Sequence, residues 1–177
     1  DANKGIHEAV ELFVSLKNDK SIVSRICGFP WWHRPETMAL HERLLADSDI
    51  NYEPIDYQCW TNEVDQMLRN VLLDTDILFL PYKKLSSTVD TPLLLLEGMA
   101  SLCVIMAPNL GDLNQIYGEG PFNLPVIRDL AKVRELVKSS HQRLAKERNR
   151  IYRQNESLEF STTGITNRLR ERILKSD

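Results

Sequence analysis

Apolar and polar positions alternate along this chain with two different periods, and the switching between them predicts the elements. Ile6, Ala9, Val10, Phe13 and Leu16 recur at helical spacing, which predicts an amphipathic helix over 5–17. SIVSRICGF (21–29) follows as a β-branched run with Gly28 near its end, the pattern of a buried strand that stops in a sharp turn. Pro30 and Pro35 punctuate the next loop, FPWWHRPE. Thr37 then offers an N-cap for a helix that carries Leu40, Leu44 and Leu45 on one face and ends near Asp47. INYEPIDY (50–57) predicts a short strand, and Thr61 or Asn62 caps a helix through residue 73.

DILFLPY contains the clearest strand: continuous apolarity from Ile77 to Leu80 predicts burial on both faces, as in a central parallel strand covered by helices. A polar loop, KKLSSTVD, leads to TPLLLLEGMAS, where Thr91 can cap, Pro92 suits the first helical position and Leu93 to Ala100 supply a buried helix. LCVIMAP reads as a buried strand, LGDLNQIYG as a short helix and NLPVI as an edge strand. Leu130, Val137, Leu144 and Ile151 stand seven apart, which predicts one long helix over 128–155, and FSTTGITNRLRERIL a final helix over 160–175. The alternation of strands and helices predicts a single α/β domain over 1–177, a doubly wound, Rossmann-like parallel sheet flanked by helices.

Composition narrows the function classes. With 177 residues, 42% hydrophobic and 27% charged, the chain has material for one sizeable core. It has no apolar run of membrane-spanning length and no basic-then-apolar leader. Cys27, Cys59 and Cys103 are odd in number and lack CxxC spacing, which signals neither a disulfide framework nor zinc and fits a cytoplasmic setting. The net charge of −3 is unevenly spread: residues 1–127 hold 9 basic and 18 acidic side chains, residues 128–177 hold 13 and 7. An acidic body argues against nucleic acid as a partner. The basic tail reads first as a solvated helix face whose apolar stripe packs on the body, and second as a face peripheral to anionic lipid. His7, His33, His41 and His141 show no HxxxH or HExxH spacing, so no metal site is expected.

In such sheets ligands bind beyond the carboxyl ends of the strands. The loop 82–91 joins the most apolar strand to a helix whose first turn has free amide donors, and Lys83, Lys84, Ser86, Ser87 and Thr88 add donors suited to phosphate or sugar hydroxyls. Glu97 stands six residues after Thr91. Two readings stay open for it, a carboxylate accepting from vicinal ribose hydroxyls or a partly exposed helix residue, and periodicity favours the second. A receiver-type signalling domain has the same alternation, but Asp74 and Asp76 lie before or at the start of their strand rather than at its carboxyl end.

The stretch from Asp76 to Gly120 resembles the nucleotide-sugar-binding half of GT-B glycosyltransferases, in the retaining group called glycosyltransferase family four. LPY, EGMAS and VIMAPNLG take the places of the family's strand end, Glu-Ala-Met-Ala helix and Pro-Val-Ile strand, in order and without a gap. NKGIHEAVELF resembles the Lys-Gly segment that opens the family's first helix here, and NESLEFSTTGITNRL its closing Phe-Ser helix; 29–60 match least. The resemblance implies hexose transfer from a nucleoside diphosphate sugar to an acceptor hydroxyl of a glycan, lipid or protein, without a metal or other cofactor. Lys4 and the amides near Thr91, with Lys83, Lys84, Ser87 and Thr88, would hold the diphosphate, Asp90 would orient the sugar, and Glu97 would hold the ribose. Trp60 would stack near the base, with packing in a core or interface as its alternative. Residues 160–175 would contact the N-terminal acceptor-binding half.

Departures from the family set up the alternative, a non-catalytic glycosyltransferase-like subunit that binds a protein partner. The family's first acid falls at Val89 with Asp90 beside it, two glycines are replaced at Leu102 and Asp112, the usual Pro is Val104, and an expected Glu is Gln115. The family's first strand, the Arg preceding its Lys-Gly, and the acceptor-binding half have no counterpart in these residues, so the chain alone is expected to be a poor catalyst.

Overall fold

The computed structural model describes residues 4–28, 35–48, 50–55, 62–84, 93–109, 116–120, 122–124 and 129–158. It is a mixed α/β fold with short parallel strands and, among the described residues, six α-helices. Helix α1 (Ile6–Leu16) leads to β1 (Arg25–Gly28), α2 (Pro35–Ala46), β2 (Asn51–Pro54) and α3 (Asn62–Leu73). Then come β3 (Ile77–Phe79), α4 (Leu93–Ala100), β4 (Val104–Pro108), β5 (Asn123–Leu124), α5 (Leu130–Ser139), a 3₁₀ turn at Ser140–Gln142 and α6 (Leu144–Leu158).

The strands form two parallel sheets. In one, β1 pairs with β2, with Ile26 opposite Tyr52 and Cys27 opposite Glu53. In the other, β4 lies between β3 and β5, with Leu78 opposite Ile105 and Ala107 opposite Asn123. The main core gathers Leu12 and Leu16 of α1, Leu95 and Met99 of α4, all of Val104–Ala107, and Phe122, Val133 and Ile151. A smaller core joins Val10, Ile26, Leu44 and Ile50. Phe13 packs against both, so α1 ties the two sheets together.

Several expectations are corrected. The helix placed after Thr37 begins at Pro35, whose fixed φ and missing N–H suit the first helical position, so Thr37 lies within the first turn rather than capping it. The strand expected over 21–29 is confined to Arg25–Gly28, because Ser21 is drawn into a turn by Asp19, whose carboxylate accepts from its amide at 3.2 Å and its hydroxyl at 2.6 Å. The strand with both faces buried is β4, not β3, whose three residues are half-buried.

The single helix expected over 128–155 is two. Ser139 and Ser140 turn their hydroxyls back onto Leu136 O and Val137 O, at 3.2 and 2.6 Å, and the chain tightens into the 3₁₀ turn there. Asp129 opens α5 as an N-cap, accepting from Lys132 N at 3.1 Å. The helices expected at 110–118 (for its greater part) and 160–175, and the candidate caps Thr61 and Thr91, lie outside the described residues. Among those described, no helix is long and apolar enough to cross a membrane.

Candidate functional site

The carboxyl end of β3 is where the sequence places its chemistry. Leu80 donates its amide to Met106 O at 2.9 Å, and Tyr82 donates back to Leu80 O at 2.9 Å, so the chain turns sharply on leaving the sheet. Leu80, Pro81 and Tyr82 are buried, and Lys83 and Lys84 emerge from the turn as exposed residues.

Against this turn lies the start of α1. Gly5 is its N-cap, at φ 72°, and offers no side-chain cap. A Cβ on Gly5 would stand 1.9 Å from Pro81 O, so only glycine permits both the left-handed conformation and the contact. The fold thus brings Lys4, which is exposed, to the same end as Lys83, although 79 positions separate them.

Lys83 does not stand free. Its Nζ lies 2.6 Å from Oε1 of Glu8, three residues into α1. Burial alone would raise the Glu8 pKa, but the Lys83 ammonium and Glu8's own amide, both hydrogen-bonded to the carboxylate, outweigh it and hold the carboxyl below its usual range. An acid in the first turn also complements the helix dipole. The second oxygen, Oε2, is buried without a hydrogen-bond partner among the described residues.

Glu97 sits on α4 with its side chain exposed, while Gly98 and Met99 beside it are buried. Gly98 is where α4 meets the sheet: a Cβ there would come within 2.5 Å of Leu78 Cδ2 and 3.0 Å of Ile105 Cδ1. Of the expected site residues, Lys4, Lys83, Lys84 and Glu97 can be placed. Trp60, Ser87, Thr88, Asp90 and Thr91 lie outside the described residues.

Other polar clusters carry no signature in the sequence. His41 of α2 lies with Nδ1 2.9 Å from the Tyr52 hydroxyl of β2, whose pKa is raised by burial. Arg150 of α6 spans 4.4 Å to the centroid of Tyr117, donates to Tyr117 O and, at 2.9 Å, to the buried carboxylate of Glu147. The Tyr117 hydroxyl in turn accepts from Ile105 N at 2.9 Å, anchoring β4. Arg150 and Tyr117 stand 33 positions apart and His41 and Tyr52 eleven, and only Glu147–Arg150 has the short i,i+3 spacing of a helix face.

Cys27 is half-buried, its thiol pushed up by burial and then by the charge of Glu53, and Cys103 is buried and pushed up to about 11, chiefly by burial. Both are poor nucleophiles at neutral pH. Cys59 lies outside the described residues, and among those described no three metal-ligating side chains come together. Comparison with protein-family models, curated proteins and solved structures found no match to this chain.

Proposed function

We propose that this chain is the nucleotide-sugar-binding domain of a GT-B, family-four-like retaining glycosyltransferase, its strands forming one doubly wound, Rossmann-like sheet. The observation that carries the reading is the seating of Lys4-Gly5 and the α1 amino terminus on Pro81 at the carboxyl end of β3, with Lys83 beside them. Amide donors, a positive helix end and lysines at a strand's carboxyl end suit a diphosphate. Lys4 and the loop containing Lys83, Lys84, Ser87, Thr88 and Thr91 would stabilise the leaving nucleoside diphosphate as charge develops on it, by the logic of an anion hole. Asp90 would orient the hexose, Glu97 would accept from the ribose hydroxyls and Trp60 would stack on the base. Transfer would need the acceptor-binding half, and the domain would work in the cytoplasm without a metal.

The test is calorimetric titration with UDP, GDP and ADP, followed by the best ligand with Glu97→Ala and Lys4→Ala. Binding of one nucleotide that either substitution removes is the expected result. A folded chain that binds none at millimolar concentration overturns the reading.

A second reading, a non-catalytic subunit that keeps the fold for a protein partner, is favoured by two observations. Lys83 is already engaged by Glu8. Leu102 holds a left-handed conformation, φ 59°, at one of the places where the resemblance expects glycine, a mark of relaxed constraint.

A further inference from the structure

Charge is sorted on the surface as it is along the sequence, and two of its concentrations have matching shapes. Arg143, Lys146 and Arg153 are exposed on one stripe of α6, three and seven positions apart. Arg143 belongs to the helix through its carbonyl, which accepts from Glu147 N at 2.9 Å, and Asn149 is exposed between Lys146 and Arg153. None of the three cations takes an ion pair among the described residues, whereas Arg148 and Arg150 are held by Asp76 and Glu147. Glu156, the acid nearest Arg153 in sequence, is hydrogen-bonded to the Tyr152 hydroxyl.

The complementary surface is an open cleft of about 560 Å³ along α3. Glu63 and Asp74 stand exposed near the two ends of this helix, eleven positions and so three turns apart, and neither takes an ion pair among the described residues. Asp74 prolongs the helix, donating its amide to Asn70 O at 3.1 Å. Between the two acids lie the half-buried Met67 and Val71 and the side-chain amides of Gln66 and Asn70, joined at 3.0 Å. Across the cleft Glu53 and Arg25, 4.0 Å apart, offset one another, so Glu63 and Asp74 leave the whole negative.

The two patterns fit. At a rise of about 1.5 Å per residue, Arg143 to Arg153 spans about 15 Å and Glu63 to Asp74 about 16 Å. The stems of Lys146 and Arg153 can lie over Met67 and Val71 with their charged ends at the carboxylates, and Asn149 can meet the Gln66 and Asn70 amides. The stripe does not reach the cleft of its own chain. Arg148, on roughly the opposite side of α6 from Lys146 and Arg153, is fixed to Asp76 of the same body, which turns the stripe outward.

We propose that α6 of one copy docks along α3 of a second copy, setting Arg143, Lys146 and Arg153 against the acids of the cleft. Because the two surfaces differ, the association is head-to-tail. It is held chiefly by exposed charges and is therefore weak and sensitive to salt. A second copy is favoured over a lipid surface because an interfacial helix sets large apolar side chains beside its cations, and here the exposed residue between Lys146 and Arg153 on the stripe is Asn149. The contact is independent of nucleotide binding.

Sedimentation velocity tests it in three proteins, each checked for folding by circular dichroism: the parent chain, a stripe variant with Arg143→Gln, Lys146→Gln and Arg153→Gln, and a cleft variant with Glu63→Gln and Asp74→Asn. At about 20 mM salt the parent's mean mass should rise with concentration above the 20.4 kDa of one chain, and return to it at about 500 mM. Either variant alone should stay at one chain in both. Mixed in equal amounts at low salt, the two variants should form a pair and nothing larger, since one keeps the cleft and the other keeps the stripe. The proposal is overturned if the parent stays at one chain at low salt, if only one of the variants loses the association, or if the mixture does not pair. A parent that stays at one chain yet pellets with vesicles of phosphatidylserine and phosphatidylcholine, a binding that only the stripe variant loses, also overturns it and assigns the stripe to a lipid surface.

Discussion

Leu102 is the one described non-glycine residue with positive φ, at 59°, and it closes α4 in a Schellman arrangement: Cys103 N donates to Gly98 O at 2.9 Å and Leu102 N to Met99 O at 3.0 Å. A residue with a Cβ pays roughly 1–2 kcal/mol for this conformation. Glycine escapes that cost but gives back roughly 0.5–1 kcal/mol through its freer unfolded chain. Replacing Leu102 by Ala and by Gly removes the same half-buried packing in both, so the difference between the two isolates the backbone. Leu102→Gly should be more stable than Leu102→Ala by about 1 kcal/mol. At Ala100, exposed in the last turn of α4, the order reverses, and Ala100→Gly should cost about 1 kcal/mol. Urea unfolding followed by circular dichroism resolves this, because 1 kcal/mol moves a midpoint by about 0.5 M at an m-value near 2 kcal/mol/M. Equal m-values with the alanine variant as stable as the glycine variant at 102 would refute the assignment of a strained cap.

Three further outcomes are expected. Gly5→Ala meets both the left-handed φ and a Cβ 1.9 Å from Pro81 O, and should lose about 2–5 kcal/mol in the same urea assay. Tyr117→Phe leaves the buried Ile105 amide without its acceptor, at a cost of about 1–3 kcal/mol at neutral pH. Burial pushes the Tyr117 pKa above its ordinary 10 to about 12, so the phenol's contribution is whole below pH 10 and is lost as pH rises toward 12; thermal melts across that window should decline more steeply for the parent chain than for Tyr117→Phe. Asp129→Ala removes the cap on Lys132 N and should lower stability by about 1 kcal/mol, with the loss confined to α5 in hydrogen exchange.

What the sequence made legible is what local periodicity controls. Ala9, Val10 and Leu16 of α1 are buried as their spacing requires, with Leu12 buried beside them outside that predicted set, and Val104 to Ala107 are buried as an unbroken apolar run requires. The break at Ser139-Ser140 was present as two adjacent poor helix formers, but Leu130, Val137, Leu144 and Ile151 keep their seven-residue spacing across it and all pack on the main core, so the period conceals the interruption. The half-burial of β3 was not legible, because what covers a strand edge depends on topology rather than on the strand's own residues. The meeting of Lys4 with the turn after β3 was suggested by the resemblance alone. Its physical cause, Gly5 against Pro81, lies between two ordinary residues with no pattern to join them.

The Glu8–Lys83 pair sets the electrostatic terms on which this end of the sheet can meet an anion. The Glu8 carboxyl is held below its ordinary range, so it is ionised at neutral pH and its charge offsets that of the lysine it pairs with. Recruiting Lys83 to a diphosphate would leave Glu8 without the partner of Oε1, and its Oε2 is already buried without one among the described residues. An unpaired buried carboxylate is costly, so ligand affinity would be reduced by that exchange. On the proposed reading, donor binding at this site would therefore rest first on the α1 amides, Lys4 and Lys84, with Lys83 acting from its pair as the strut that holds α1 to the β3 turn. This division of labour explains how the same lysine can serve either reading: it positions the amides of a donor site, or it locks a fold that no longer needs one.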